Sequence, residues 1–166
     1  MNRTKNLPKD ALFEFALTRR IANPVAITFT LKQAMSMHNR YGVHVHKNDA
    51  IDFSTNTRYF LNRLNQSVFG RRFTKYKQRL SVFPVLEGGN DVRFHTHLAI
   101  ERPVNFDFDE FSLLVSRCWS KCPLGYNNID VKEIANYEGW INYMLKNKTK
   151  SMDLLSSVDV ENLYLN

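Results

Sequence analysis

Cysteine is scarce in this 166-residue chain: only Cys118 and Cys122 occur. Two neighbouring thiols make neither a disulfide framework nor a four-ligand zinc site, which points to a reducing compartment. Long apolar runs are also missing. No stretch approaches the roughly 18 residues of a membrane-spanning helix, so no membrane partner is expected. The amino-terminal stretch carries Arg3, Lys5, Lys9, Asp10, Glu14, Arg19 and Arg20 and lacks a signal-peptide apolar core. No Gly-x4-Gly-Lys-Ser/Thr loop is present, so no nucleotide-hydrolysing motor is evident. Internal repeats and low-complexity tracts are absent as well.

What the chain does have is a core and a charge gradient. It is 43% hydrophobic and 13% aromatic, enough for one domain and far from a disordered composition. Its 23 Lys+Arg against 16 Asp+Glu leave a net +7, which favours nucleic acid or an anionic surface as partner. Residues 1–80 hold 15 basic and 4 acidic side chains, net +11; residues 81–166 hold 8 and 12, net −4. The densest run, Arg71 to Arg79, interleaves Arg71, Arg72, Lys75, Lys77 and Arg79 with Phe73 and Tyr76. Cations neutralise phosphates while aromatic faces stack on unpaired bases, as single strands require. A solvated basic loop after a helix explains the run equally well.

Hydrophobic periodicity orders the elements. Residues 1–22 read as a polar, basic arm with a short helix near Asp10–Arg20. Val25, Ile27, Phe29 and Leu31 alternate with Ala26, Thr28 and Thr30, a half-buried strand. A polar, His-containing connection then runs from Lys32 to about Phe53. Thr55 or Thr57 is positioned to cap a helix whose stripe is Phe60, Leu61, Leu64 and Val68. Leu80–Glu87 and Val92–Glu101 form a hairpin about Gly88-Gly89-Asn90-Asp91, with Pro84 implying an edge strand. A helix over Asn105–Trp119, a strand over Asn128–Glu133 and a helix over about Asn136–Lys148 complete the order. The pattern is β-α-β-β-α-β plus a final helix. It predicts an α+β, RRM/ferredoxin-like split βαβ fold, with helices on one face of an antiparallel sheet. The active site then falls on the open face of a domain covering residues 23–150, with 151–166 as a tail.

Chemistry concentrates in the hairpin. Phe94, Leu98 and Ile100 must face the helices, which sends His95 and His97 to the other side of their strand. Pairing Glu87 opposite His95 adds a carboxylate to that face. Two imidazoles and a carboxylate with solvent-filled positions suit Mn²⁺ or Mg²⁺ better than a closed structural zinc. His44-Val45-His46 has the same spacing, but it sits in the polar connection with no carboxylate placed by a hairpin; it is the lesser alternative for the metal site, ranked below an exposed loop or a DNA contact. On the last helix, Tyr143 falls about 120° from the centre of the buried stripe, at its border. Lys146 follows one turn on and can hold a phosphate oxygen beside the tyrosine. Tyr137 points into the stripe and belongs to the core.

The ordered set resembles the HUH endonuclease superfamily, specifically rolling-circle replication initiators of small circular DNA viruses, phages and plasmids. The resemblance spans roughly residues 24–150. Thr28-Phe29-Thr30-Leu31-Lys32 is similar to the first motif, Phe94-His95-Thr96-His97-Leu98 with Glu87 to the metal motif, and Tyr143-Met144-Leu145-Lys146 to the catalytic motif. Thr96 stands where an apolar residue is usual, and Lys32 departs from the common first-motif ending and is given no role. The resemblance implies Glu87, His95 and His97 as ligands of Mn²⁺ or Mg²⁺, Tyr143 as nucleophile and Lys146 as phosphate partner. Thr28, Thr30, Arg71, Arg72, Lys75, Tyr76, Lys77, Arg79 and Lys148 become DNA contacts. The implied reaction nicks and rejoins single-stranded DNA at an origin, presented in a hairpin, through a 5′-phosphotyrosine. The expected setting is intracellular: cytoplasm or nucleoid in a bacterial host, nucleus for a eukaryotic virus. Many relatives carry a helicase domain that is not seen here, so unwinding falls to a host helicase. A non-catalytic RRM-like single-strand binder is the rival reading, and a transposase or relaxase of the same superfamily a third.

Overall fold

The most apolar alternation in the chain becomes the centre of its main sheet. The computed structural model describes residues 7–88, 93–146 and 157–166. Strand β1 (Pro24–Leu31) lies between β5 (His95–Glu101) and β6 (Gly125–Glu133), and β4 (Val82–Glu87) closes the other edge. The order is β4-β5-β1-β6 with every neighbouring pair antiparallel, compatible with a ferredoxin-like arrangement. Pro84 lies on an edge strand, where its missing N–H breaks no ladder between two neighbours.

Side chains at Val25, Ile27, Phe29 and Leu31 point to one face and are fully buried there. They meet helices α2 (Ala50–Phe69) and α4 (Phe108–Trp119) through Phe53, Phe60, Leu64, Phe111 and Val115. Phe29 stacks on Trp119 at 3.9 Å between centroids and takes the edge of Phe60 at 4.8 Å. Truncating an aromatic this buried costs about 3–5 kcal/mol, so this face is the mechanical base of the domain. Asp49, not Thr55 or Thr57, caps α2. Its carboxylate accepts from the N–H groups of Ile51 and Asp52, and Asp52 returns the bond in a capping box. Thr57 is buried inside the helix instead.

The second face of the sheet is not open along its length, contrary to the sequence expectation. Helix α1 (Leu7–Thr18) and helix α5 (Tyr137–Met144) pack there, joining Ala16, Ile21, Tyr137, Ile141 and Met144 to Phe83, Val85 and Ala99. The basic amino-terminal segment hid its packing role because its apolar residues are too evenly spread to mark a stripe. Tyr137 is core as expected, its hydroxyl donating to the Ala16 carbonyl at 3.3 Å.

The polar connection after β1 also differs. It folds into a two-stranded ribbon, β2 (Ala34–Asn39) and β3 (Gly42–Lys47), so His44 and His46 are on a strand after all. Every ribbon residue but Met35 is exposed, and an alternating pattern with no buried side gives sequence reading little to hold. The basic run begins as a short helix, α3 (Arg71–Tyr76). Residues 157–166 bind the free edge of β4, through Val82 N–H to the Tyr164 carbonyl at 2.6 Å and Asp159 N–H to the Pro84 carbonyl at 3.1 Å. They act as a strap that covers an exposed sheet edge. The expected turn at 89–91, and Lys148, lie outside the described residues. Among the described residues, no helix is long and apolar enough to cross a membrane.

Candidate metal centre

The hairpin places the acidic and imidazole groups by register. Glu87 pairs with His95, Val85 with His97, and on the other side of β5 His97 pairs with Thr28 and His95 with Thr30. Because side chains alternate along a strand, His95 and His97 share the face that carries Ala99 and looks toward α5. Gly88 leaves β4 at φ 150°, and a Cβ there would lie 2.6 Å from the backbone of Phe94. Only glycine permits this close approach, which holds Glu87 beside the start of β5.

The three side chains converge. One Glu87 oxygen, Oε2, lies 3.1 Å from His97 Nε2 and 3.5 Å from His95 Nε2. A ligand atom from each of the three residues falls within 4.8 Å of the other two. His97 is buried, and Glu87 and His95 are half-buried, so the cluster is shielded on one side and reachable from the other. Two imidazole nitrogens and a carboxylate at this spacing can hold a metal ion, and the donor set fits one that keeps open positions for other oxygens.

Hydrogen bonds behind the cluster prepare its rings. His95 Nδ1 donates to the Arg93 carbonyl at 2.9 Å, and a carbonyl only accepts, so the Nε2 lone pair faces the cluster. His97 is arranged differently. Its Nε2 donates to Glu87, and its Nδ1 accepts from the Thr28 hydroxyl at 3.0 Å. A hydroxyl both donates and accepts, so Thr28 can serve His97 with the proton on either nitrogen. Thr28, expected as a DNA contact, is thus occupied in orienting a histidine.

Tyr143 arrives from α5. Its ring stacks on Trp140 at 5.2 Å and meets the His97 ring edge-on at 5.6 Å. Trp140 is itself fixed, its indole N–H donating to the Leu98 carbonyl at 3.3 Å. Trp140 is therefore the residue that sequence reading left at the flank and the structure makes a support for Tyr143. Its i, i+3 spacing to Tyr143 was the available signal. Tyr143 is 37% exposed, the border position that its helical angle implies.

Other expected residues are not gathered here. Helix α5 stops at Met144, with Leu145 as its cap, so Lys146 lies past the helix rather than on its face. Its N–H bonds back to the Tyr143 carbonyl at 3.2 Å, keeping it close in chain terms, and its side chain is exposed. Leu145, the cap residue, is fully buried. Thr30 shares the site face opposite His95. Arg71, Arg72, Lys75, Tyr76, Lys77 and Arg79 precede the first residue of β4, whereas Glu87 is its last. The basic run is therefore roughly 20 Å from the cluster along that strand. There Arg79 lies over Phe73 at 4.9 Å and donates to the Asn62 carbonyl oxygen Oδ1 at 3.4 Å. Set against known proteins, the chain matches no family model, no curated protein and no solved structure.

Proposed function

We propose that the protein is a metal-dependent enzyme of the HUH type that nicks and rejoins single-stranded DNA on a split βαβ fold. The observation that carries this reading is the placement of the Tyr143 ring 5.6 Å from His97, a member of the Glu87-His95-His97 cluster. A tyrosine at the mouth of a cluster of cation ligands is the arrangement that phosphoryl transfer to a phenol requires. A divalent ion, Mn²⁺ or Mg²⁺, held by Glu87, His95 and His97 would supply positive charge to the scissile phosphate.

The chain's own groups do the rest. Glu87, His95 and His97 set where the phosphate docks, and Trp140 holds the Tyr143 ring toward it. The Tyr143 oxygen loses its proton and bonds to phosphorus as the bond from phosphorus to the 3′ oxygen breaks. The 3′ oxygen takes up a proton, leaving a 3′-hydroxyl and a 5′-phosphotyrosine. The stored phosphodiester allows rejoining without a nucleotide cofactor. Lys146, next to the helix end, is placed to pair with a phosphate oxygen. The basic run from Arg71 to Arg79 acts at a distance, on strand or stem flanking the nick. On this reading the substrate is a single strand at a replication origin, presented in a hairpin and opened by a host helicase.

Incubation with labelled single strands spanning candidate origin hairpins, with Mn²⁺ present, tests the proposal. The wild type forms a covalent adduct that survives denaturing gels, and Tyr143→Phe forms none while still binding. Binding without any adduct on every strand tried would instead identify a non-catalytic single-strand module.

A further inference from the structure

A second concave site lies under the β2–β3 ribbon, on the α2 side of the sheet. It is an open cleft of about 520 Å³. Its walls are apolar or aromatic: Met35 and Met37 from the ribbon, Tyr59 from α2, and Leu124 from the loop before β6. His46 and Asp52 form its polar edge, with His46 Nε2 donating to Asp52 Oδ2 at 2.8 Å. Apolar walls with a few fixed hydrogen-bonding groups are the composition of a pocket for a planar ligand with polar edges.

The surrounding charge selects the class of occupant. Residues 32–47 carry Lys32, Arg40 and Lys47 and no carboxylate. On α2, the Arg63 guanidinium lies 5.5 Å from the Tyr59 ring centroid and donates to its hydroxyl at 3.2 Å. The two carboxylates nearby are already engaged. Asp49 caps α2, and Asp52 is kept ionised by the bonds from the Asp49 N–H and from His46. These two carboxylates face the four cations Lys32, Arg40, Lys47 and Arg63, which leaves positive charge in excess. What approaches such a cleft is anionic outside and flat and apolar inside.

The cleft is also tied to the metal cluster. Asn48, in its lining, donates its N–H to the Gln33 carbonyl at 2.9 Å. The Gln33 side chain in turn accepts from the Phe94 N–H at 3.0 Å, one residue before His95. Ribbon base and cluster thus share the end of the sheet where β1 ends and β5 begins, the cleft on its α2 face and the cluster on its α5 face.

We infer that the cleft is a subsite for one unpaired base of the strand whose phosphate docks at the cluster. The inference rests on the nicking reading and adds a place where the strand is gripped by a base rather than by its backbone. Tyr59 supplies the stacking face, Met35 and Met37 close over the base, and His46 lies at its polar edge. Lys32, Lys47 and Arg63 meet the adjoining phosphates.

Two labelled probes test this by fluorescence anisotropy, with EDTA present so that no strand is cut. One is a mixed-sequence DNA single strand; the other is the same length of tetrahydrofuran abasic backbone. Tyr59→Ala is expected to bind the base-bearing strand about 5- to 140-fold more weakly than wild type, the range that one lost stacking contact gives. It binds the abasic strand as the wild type does. Tyr59→Trp, which keeps a stacking face, retains wild-type affinity for both. The inference is overturned if Tyr59→Ala matches wild type on the base-bearing strand, if it loses affinity equally for both probes, or if Tyr59→Trp is as weak as Tyr59→Ala. Wild type that binds neither probe overturns the inference, and if it also forms no adduct on any origin strand the nicking reading falls with it. Wild type that forms the Tyr143 adduct while Tyr59→Ala binds normally brings down this subsite alone.

Discussion

His95 and His97 on β5, and His44 and His46 on β3, have the same spacing on the same kind of element, yet they meet opposite surroundings. The first pair lies on an inner strand of a four-stranded sheet, flanked by β4 and β1. Its rings are 4.8 Å apart and share one carboxylate, with His97 4% exposed. The second pair is exposed on a ribbon that only Met35 ties to the core. The register partners of His44 and His46 are Met37 and Met35, and the carboxylate near His46, Asp52, comes from α2 and serves that ring alone. Spacing alone therefore does not make a metal centre. What differs is the residue across the ladder and whether a third strand and a helix restrict the rings. An imidazole in water gains little from a nearby ligand, because its rotamer freedom must be given up to hold the geometry. An imidazole already held by Thr28, Glu87 and the ring of Tyr143 has lost that freedom on folding.

The largest expected effect separates the two pairs directly. His97→Ala should abolish Mn²⁺ binding in a calorimetric titration, whereas His44→Ala should leave the titration where it was. Thermal melts give an independent readout. Mn²⁺ at a hundredfold excess over its dissociation constant adds about 2.7 kcal/mol to the stability of the wild type. It should add none to His97→Ala. Equal responses from both variants would erase the distinction drawn here.

An intermediate effect concerns the second layer of groups. Thr28→Val keeps the β-branched shape and removes the hydroxyl behind His97, and a loss of about 10- to 100-fold in Mn²⁺ affinity is expected. Thr28→Ser should restore it, since the hydroxyl returns. If the valine variant binds Mn²⁺ normally, the bond to His97 Nδ1 has no part in holding the ligand. The smallest effect comes from adding a cross-strand carboxylate to the ribbon, where, unforeseen in the sequence, Asp52 of α2 already bonds His46 at 2.8 Å. Met37→Glu places a carboxylate opposite His44, as Glu87 stands opposite His95. Measured in a His97→Ala background, it should create weak Mn²⁺ binding, far below the native site, because the side chains at 37 and 44 are exposed. Affinity equal to the native cluster would show that register suffices and burial does not matter.

How much of the site was legible follows from which residues were tied to periodic, half-buried strands. Glu87, His95 and His97 were readable because Phe94, Leu98 and Ile100 must turn inward, which leaves one choice of side for the histidines and one register for the hairpin. Tyr143 was readable as a border residue from the angle between it and the stripe of Ile141, Met144 and Leu145. Thr28 was visible as a residue on the site face, but its bond to His97 spans 69 positions of sequence. Lys146 was read onto the helix because the apolar stripe runs on through Leu145, whereas the helix stops at Met144 with no Gly or Pro to mark its end. The ribbon was missed for the opposite reason: with Met35 its one half-buried residue, no hydrophobic period marks it.

By itself, then, the sequence determined the charge gradient, the alternation of β1, the Glu87–His95 register and the face on which the histidines lie. These follow from local rules, the two-residue period of strands and the steric limits of a tight turn. Tertiary structure alone decided that α1 and α5 cover part of the supposedly open face, that residues 157–166 strap the β4 edge, and that the basic run lies at the far end of the sheet. It also decided that Tyr143 meets His97 and that Met35, Met37 and Tyr59 enclose a cleft. Each of these depends on packing between segments distant in the chain, where the free energy of burial rather than any local propensity selects the arrangement.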